Sequence, residues 1–405
     1  MNNKEYSPFT PGNPVPVELF VGRIKQIEEL LRYVGQVSSG KQENIFLIGD
    51  RGIGKSSLAS FLRFLVEQKD FLGIHVFLGR VSTLEEMVQH IFDQILKEAK
   101  KQKWYNNIAK FFGKHIKEVD LFGISVSFAP PEQDLKKLVR NFPEAVFNLL
   151  EKIKEEKVGL FIAMDDINGL AEREEFANWY KSFVDETATH YEHFPVFMMP
   201  IGLPEKRSKM VKFQPSLARI FRVVEIERLS DEEVRNFLSK AFEKVKMRVE
   251  ASAMEIMVRY SSGLPLLMHE IGDATFWIDI DGVINEKDAL KGIIRAAENV
   301  GQKYLDPRVY RVIRSERYKS ILRKLGDPPS QSFRKKDIEK RLNEEEKKVF
   351  HNFLRRMREL GVIESDIERA RGAYKFVNAI YPVYIWMENE KSKRSRKIKW
   401  NLGIK

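Results

Sequence analysis

Short apolar runs recur along the first half of the chain, each followed by a stretch in which apolar positions return every three or four residues. Asn44-Ile45-Phe46-Leu47-Ile48, Ile74-His75-Val76-Phe77-Leu78, Val158-Gly159-Leu160-Phe161-Ile162-Ala163-Met164 and Val196-Phe197-Met198-Met199-Pro200-Ile201-Gly202 are apolar on both faces. Strands buried in a parallel sheet read this way. Between them Ser57 to Leu62 opens one helix, Leu84 to Ala99 forms a long one, and another follows Asp166. Such alternation predicts a doubly wound α/β domain whose ligand lies at the carboxyl ends of the strands.

Beyond Leu229 the strand pattern stops. Ser230 caps a helix opening at Asp231-Glu232-Glu233-Val234, and Ala251 to Tyr260, Leu264 to Trp277 and Asn285 to Tyr304 carry the helical period, so residues 231–305 read as four helices. From Tyr318 the chain changes again, with helices at Tyr318 to Leu325, Lys335 to Leu342 and Glu344 to Leu360, the second set off by a Pro-Pro turn. Two extended runs follow, Val362-Ile363-Glu364-Ser365 and Tyr374-Lys375-Phe376-Val377, joined by the charged turn Ile367-Glu368-Arg369-Ala370-Arg371-Gly372. Three helices and a β-wing predict a winged helix-turn-helix. On the third helix Val349, Phe350, Phe353, Leu354, Met357 and Leu360 make a buried stripe, and Lys347, Lys348, Asn352, Arg355, Arg356 and Arg358 make the opposite face. Those groups suit phosphates and base edges in a major groove, with Arg369 and Arg371 of the wing near the minor groove or backbone. An ordinary basic solvent face on a protein-contact module is the alternative.

The segment Gly49-Asp50-Arg51-Gly52-Ile53-Gly54-Lys55-Ser56 has the spacing GxxxxGKS, with a strand before it and a helix from Ser57 after it. Its glycines permit a tight turn whose N–H groups point inward at phosphates, and the helix N-terminus adds partial positive charge. Lys55 then reaches the β- and γ-phosphates and the Ser56 hydroxyl ligates Mg2+, so the chain is expected to bind ATP or GTP. Such a loop needs a partner strand ending in carboxylate, and Val158 to Met164 ends in Asp165-Asp166. Asp165 is the candidate for the Mg2+ shell, and Asp166 for orienting or deprotonating the attacking water. Alone, Asp-Asp-Ile-Asn-Gly reads better as a strand-ending turn, and it is the loop upstream that favours the functional reading.

The chain has 405 residues and 47.4 kDa, enough for two or three domains, and it contains no cysteine, which excludes disulfides and thiolate metal sites. Its seven histidines form no metal-ligand pattern, leaving Mg2+ with nucleotide as the expected metal. A net charge of +11 fits an anionic partner and equally a solvated Lys/Glu surface. The opening residues lack an apolar signal core and no run approaches a membrane span, so a soluble cytoplasmic protein is expected. The run Lys391-Ser392-Lys393-Arg394-Ser395-Arg396-Lys397-Ile398-Lys399, unstructured on its own, suits phosphate contact or solubility. Trp104-Tyr105, Phe111-Phe112 and the hairpin-like Leu121 to Phe128 fit packing or a protein contact better than a grip on DNA.

Together these segments resemble the AAA+ and STAND branches of P-loop ATPases, in particular archaeal ATPases and the origin-recognition initiator clade. Leu19-Phe20-Val21-Gly22-Arg23 through Leu30 is similar to the segment that precedes the loop in those families, and Asp165-Asp166 to their Walker B acids, many of which carry Glu second. The resemblance implies that Phe20 and Val21 line an adenine pocket. It also makes Arg219, then Arg222, candidates for a finger reaching a neighbour's γ-phosphate in a self-assembled state. Residues 231–305 look like the helical lid, although no arginine lies between Gly263 and Trp277, and the strand at Met198 to Gly202 lacks a polar sensor. Gly263-Leu264-Pro265 is similar instead to the Gly-x-Pro turn of STAND proteins, which places Pro265 at the nucleotide.

The expected architecture is an AAA+-like P-loop α/β domain (1–229), a helical lid (230–305), a winged helix (306–390) and a basic tail (391–405). The leading functional expectation is an ATPase, slow or conditional because Asp166 is one methylene shorter than Glu, whose ATP/ADP state controls association with double-stranded DNA. A STAND-type switch acting on protein partners, and a transposon-type target selector, are the alternatives.

Overall fold

The computed structural model describes residues 4–120, 124–366 and 372–401. The chain forms two compact units, Pro14–Glu227, and Met1–Asn13 together with Arg228–Lys405.

In Pro14–Glu227 the strands are β1 (Glu43–Gly49), β2 (Phe71–Phe77), β3 (Ile116–Asp120), β4 (Ile124–Phe128), β5 (Gly159–Asp165), β6 (Val196–Gly202) and β7 (Arg222–Ile226). The helices are α1 (Ile24–Ser38), α2 (Lys55–Glu67), α3 (Leu84–Lys100), α4 (Tyr105–Phe112), α5 (Glu132–Arg140), α6 (Phe142–Ile153), α7 (Glu174–His190), α8 (Pro204–Phe213) and α9 (Leu217–Ile220). Five strands make a parallel sheet in the order β2-β5-β6-β1-β7. Every residue of β1, β5 and β6 is buried, as continuous apolar strands covered on both faces must be. The parallel sheet with its intervening helices is the α/β class expected from the sequence. β7, one of the two edge strands, alternates, with Val224 and Ile226 inward and its other side chains exposed; that short pattern after Arg222 gives no continuous apolar run to read as a strand.

The aromatic segment after α3 is packed. Trp104, Phe112 and Phe128 are buried, and the Phe92 ring lies 5.9 Å from those of Phe112 and Phe128 and 5.8 Å from Phe142. β3 and β4 pair antiparallel, and β4 is anchored to α3 where Asp93 Oδ1 accepts from the Phe128 N–H at 2.9 Å; Leu121, Phe122 and Gly123, expected in a hairpin, lie outside the described residues.

The second unit contains α10 (Asp231–Lys244), α11 (Ala251–Ser261), α12 (Pro265–Ile278), α13 (Glu286–Val300), α14 (Glu316–Leu325), α15 (Lys335–Glu339), α16 (Glu344–Glu359) and α17 (Tyr381–Asn401). Ser230 with Glu233, Asn285 with Asp288 and Asn343 with Glu346 form reciprocal capping boxes that fix three of these starts. The N-terminal residues pack here. Phe9 sits between Phe242 at 4.9 Å and Phe237 at 5.9 Å, and the Thr10 N–H donates to His269 Nδ1 at 2.9 Å. The helix expected from Asn285 to Tyr304 stops at Val300 and continues as a π-helical run, Gly301–Tyr310. Pro307 within that run lacks an N–H and cannot continue an α-helical ladder.

Short strands β8 (Arg248–Val249) and β9 (Val283–Ile284) pair in parallel. β10 (Ser332–Arg334), β11 (Ile363–Ser365) and β12 (Ala373–Phe376) form an antiparallel sheet ordered β10-β12-β11. α16 packs on α14, and α17 packs on α13 and α14. The cationic run expected to be unstructured continues α17 as backbone helix through Asn401, with Lys391 bonded to Glu388 at 3.0 Å and to Glu298 at 3.2 Å. Among the described residues no helix is long and apolar enough to cross a membrane.

Candidate functional site

β1 carries Gly49 to the carboxyl edge of the sheet, and the chain turns through Asp50 to Gly54 into α2. Gly52 and Gly54 take φ of 78° and 97°, a left-handed backbone that side chains with a Cβ rarely adopt. The first bond of α2 runs from the Leu58 N–H to the Gly54 carbonyl at 3.0 Å. The N–H groups of Lys55, Ser56 and Ser57 therefore precede the ladder and are open to an anion at the positive end of the helix. The Ser57 Oγ accepts from the Val15 N–H at 3.1 Å. The loop is braced from behind: the buried Arg23 guanidinium donates to the Ile53 carbonyl at 2.8 Å and to the Glu227 carbonyl.

Lys55 Nζ donates to the carbonyls of Gly49 and Asp50, each at 2.8 Å. Burial lowers its pKa from the usual lysine value, while the charges of Asp165, Asp50 and Asp166 act in the opposite direction. The loop lysine and both predicted acids thus share one electrostatic neighbourhood, although β6 stands between β1 and β5.

Asp165, at the end of β5, is 3% exposed, and its Oδ2 lies 3.0 Å from His75 Nε2. His75 Nδ1 lies 3.2 Å from Ser60 Oγ on α2. Asp166 is exposed and takes φ of 58°, a conformation uncommon outside glycine. The Asn168 side-chain amide donates to Asp166 Oδ1, and Asn168 Oδ1 accepts from the Leu203 N–H at 3.4 Å, a long contact at the end of β6. Gly79 faces the same carboxylate: a Cβ there would lie 2.6 Å from Asp166 Oδ2. Sequence reasoning missed His75, Ser60, Asn168 and Gly79 as site residues. His75 left a signal, being the one polar side chain in its apolar run; the others left none.

Hydroxyl and carboxylate oxygens from Ser56 and Asp165 are the hard donors Mg2+ takes. Among the described residues no cluster of three or more His, Asp or Glu could hold a metal alone, so a cation here would complete its shell from phosphate and water.

The remaining predicted residues lie further out. The Phe20 ring stacks on Phe61 of α2 with centroids 4.4 Å apart, and Val21 is half-buried beside it in sequence. Arg219 is exposed on α9. Arg222 starts β7, donates to Glu43 at 3.0 Å and lies over the Tyr33 ring, so it sits at the amino edge of the sheet, opposite the loop. Pro265 begins α12 in the other unit. On α16, Lys347, Lys348, Asn352, Arg355 and Arg356 are all exposed, and the four cations pair with Glu344, Glu345 and Glu359 of the same helix. Arg369 and Arg371 lie outside the described residues.

No curated protein sequence matches the chain. Among solved structures, a Walker-type ATPase of Pyrococcus abyssi is similar at 16% identity over 90% of this chain and 96% of its own, with a TM-score of 0.56. The Aeropyrum pernix ORC2 protein, solved as ADPNP-ADP complexes, is similar at 12% identity over 97% of this chain and 98% of its own, also with a TM-score of 0.56. At those identities the likeness is one of fold. Within the chain, residues 19–185, which hold the loop and both acids, match the family model described as AAA ATPase domain.

Proposed function

We propose that this protein binds ATP at the Gly49–Ser57 loop and hydrolyses it slowly, and that its nucleotide state controls association with double-stranded DNA through the C-terminal module. The observation that carries the nucleotide reading is Lys55, set in a loop of open N–H groups and within the field of Asp165 and Asp166. In this reading Gly49, Asp50, Arg51, Gly52, Ile53 and Gly54 wrap the phosphates, and Lys55 spans the β- and γ-phosphates. Ser56 and Asp165 hold Mg2+, whose contribution when bound is to neutralise charge on the phosphates. Asp166 orients the attacking water, Phe20 and Val21 border the base, and Arg219 of a neighbouring copy serves as the finger. ADPNP and ADP in the similar Aeropyrum pernix structure support the ligand class.

The DNA reading rests on α14, α15 and α16 with a small antiparallel sheet, β10 coming between α14 and α15 and β11 and β12 after α16, an order that suits a winged helix-turn-helix with α16 as its reading helix. The ion pairs on α16 are exposed and worth little each, so phosphates can displace the glutamates. Those same pairs favour a second reading. Five cations face four acids along α16, leaving it nearly neutral, as suits a STAND-type switch whose terminal module meets protein. Gly263 also fits that reading: its carbonyl accepts from the Leu229 N–H at 2.9 Å and its φ is 69°, fixing the turn before Pro265.

Isothermal titration of the full chain with ATP and ADP tests the nucleotide claim. Wild type is expected to bind both, and Lys55→Ala to lose most of the affinity. Equal affinity in the variant overturns the assignment of the loop.

A further inference from the structure

We propose that His75 is a positioning residue for the metal side of this site, holding Asp165 in the orientation in which its carboxylate serves a nucleotide-bound divalent cation. The inference rests on the nucleotide reading above and deepens it by naming what fixes the metal-side acid.

The geometry is specific. His75 lies on β2, one strand away from Asp165 on β5, and both are buried, at 7% and 3% exposure. A carboxylate can only accept, so the 3.0 Å contact requires the proton on Nε2, and a neutral ring then offers its Nδ1 lone pair to the Ser60 hydroxyl at 3.2 Å. The Phe77 ring stacks on the imidazole with centroids 4.4 Å apart. Ser60 follows Ser56 by one turn of α2, on the same face. One imidazole therefore spans the gap between the helix that carries the hydroxyl ligand and the strand that carries the carboxylate ligand.

An apolar strand has no need of histidine at this place. β2 is otherwise built from Phe, Leu, Gly, Ile and Val, and a β-branched residue would fill the same space without a polar group to satisfy. What the imidazole adds is direction: it commits one oxygen of Asp165 and leaves the other for the metal shell. Outer-shell partners of this kind typically tune metal affinity about 10- to 100-fold.

The test uses the full-length chain with ADP as nucleotide and Mn2+ as the spectroscopic probe. ADP affinity is measured by calorimetry in excess chelator, and Mn2+ affinity of the ADP-bound protein by electron paramagnetic resonance, for wild type, His75→Leu, His75→Gln and Ser60→Ala. Thermal unfolding midpoints identify any variant that fails to fold. The expected result is that His75→Leu keeps metal-free ADP affinity within about twofold while Mn2+ binding weakens roughly 10- to 100-fold. His75→Gln, whose amide can donate from nearly the place of Nε2, recovers most of it, and Ser60→Ala loses a smaller part. Wild-type Mn2+ affinity in folded His75→Leu overturns the proposal and leaves His75 as packing. Lys55→Ala run alongside separates the two claims: undiminished ADP binding in that variant removes the nucleotide reading, and this inference with it.

Discussion

Asp166 is held by its surroundings more tightly than an exposed carboxylate needs to be. Its backbone is left-handed, Asn168 donates to Oδ1, and Gly79 gives Oδ2 room that any larger residue would take away. If Asp166 orients the attacking water, Asp166→Asn should leave ATP affinity intact and lower kcat by about 100-fold or more, the usual scale of acid–base assistance. Asn168→Ala removes one hydrogen bond to a charged group and should cost about tenfold in kcat with KM unchanged. The double variant should be no slower than Asp166→Asn alone, since both act through one carboxylate. Single-turnover rates measure all three, and additive losses would show that Asn168 acts elsewhere. The acids and Lys55 were legible because strand, loop and helix residues are contiguous in each motif. Asn168 was not, because its partner Leu203 is brought to it by the pairing of β5 with β6.

At the scale of elements, the long buried strands and amphipathic helices declared themselves through periodicity, whereas β8, β9 and β10 did not. Two- and three-residue strands have no period to read. The role of the N-terminal segment was equally hidden, since it depends on α10 and α12, more than two hundred residues away in sequence. That packing makes α12 sensitive to acid. Burial pushes the pKa of His269 down to about 4, and its Nδ1 must stay unprotonated to accept from Thr10. Between the unfolded value of 6.5 and about 4 the unfolded chain binds the proton and the folded chain does not. Stability from this group is therefore present above pH 6.5 and falls as pH drops towards 4, by roughly 3 kcal/mol in all. Urea denaturation of His269→Gln should show a correspondingly shallower loss between pH 7 and 4.5 than wild type. Parallel curves would mean that the ring is not protected as described.

For the whole molecule, the class of the sheet was legible from alternation, and the division of the chain only partly so. The structure divides at 13/14 and at 227/228, so the chain passes twice between its units, and α17 joins the C-terminal module to α13 within one unit. The finer partition into a lid at 230–305, a winged helix at 306–390 and a tail at 391–405 remains our proposal. A net charge of +11 suits an anionic partner, and on the proposed DNA reading duplex binding should weaken steeply as ionic strength rises. Coupling of the loop to the C-terminal module is tested by steady-state ATP hydrolysis by the full chain at low salt, with and without duplex DNA, with Lys55→Ala as the blank. The expected result is a slow basal rate that DNA raises in wild type and that is absent from Lys55→Ala with or without DNA. A Lys55-dependent rate indifferent to DNA would contradict the coupling and leave the protein-directed switch as the better reading.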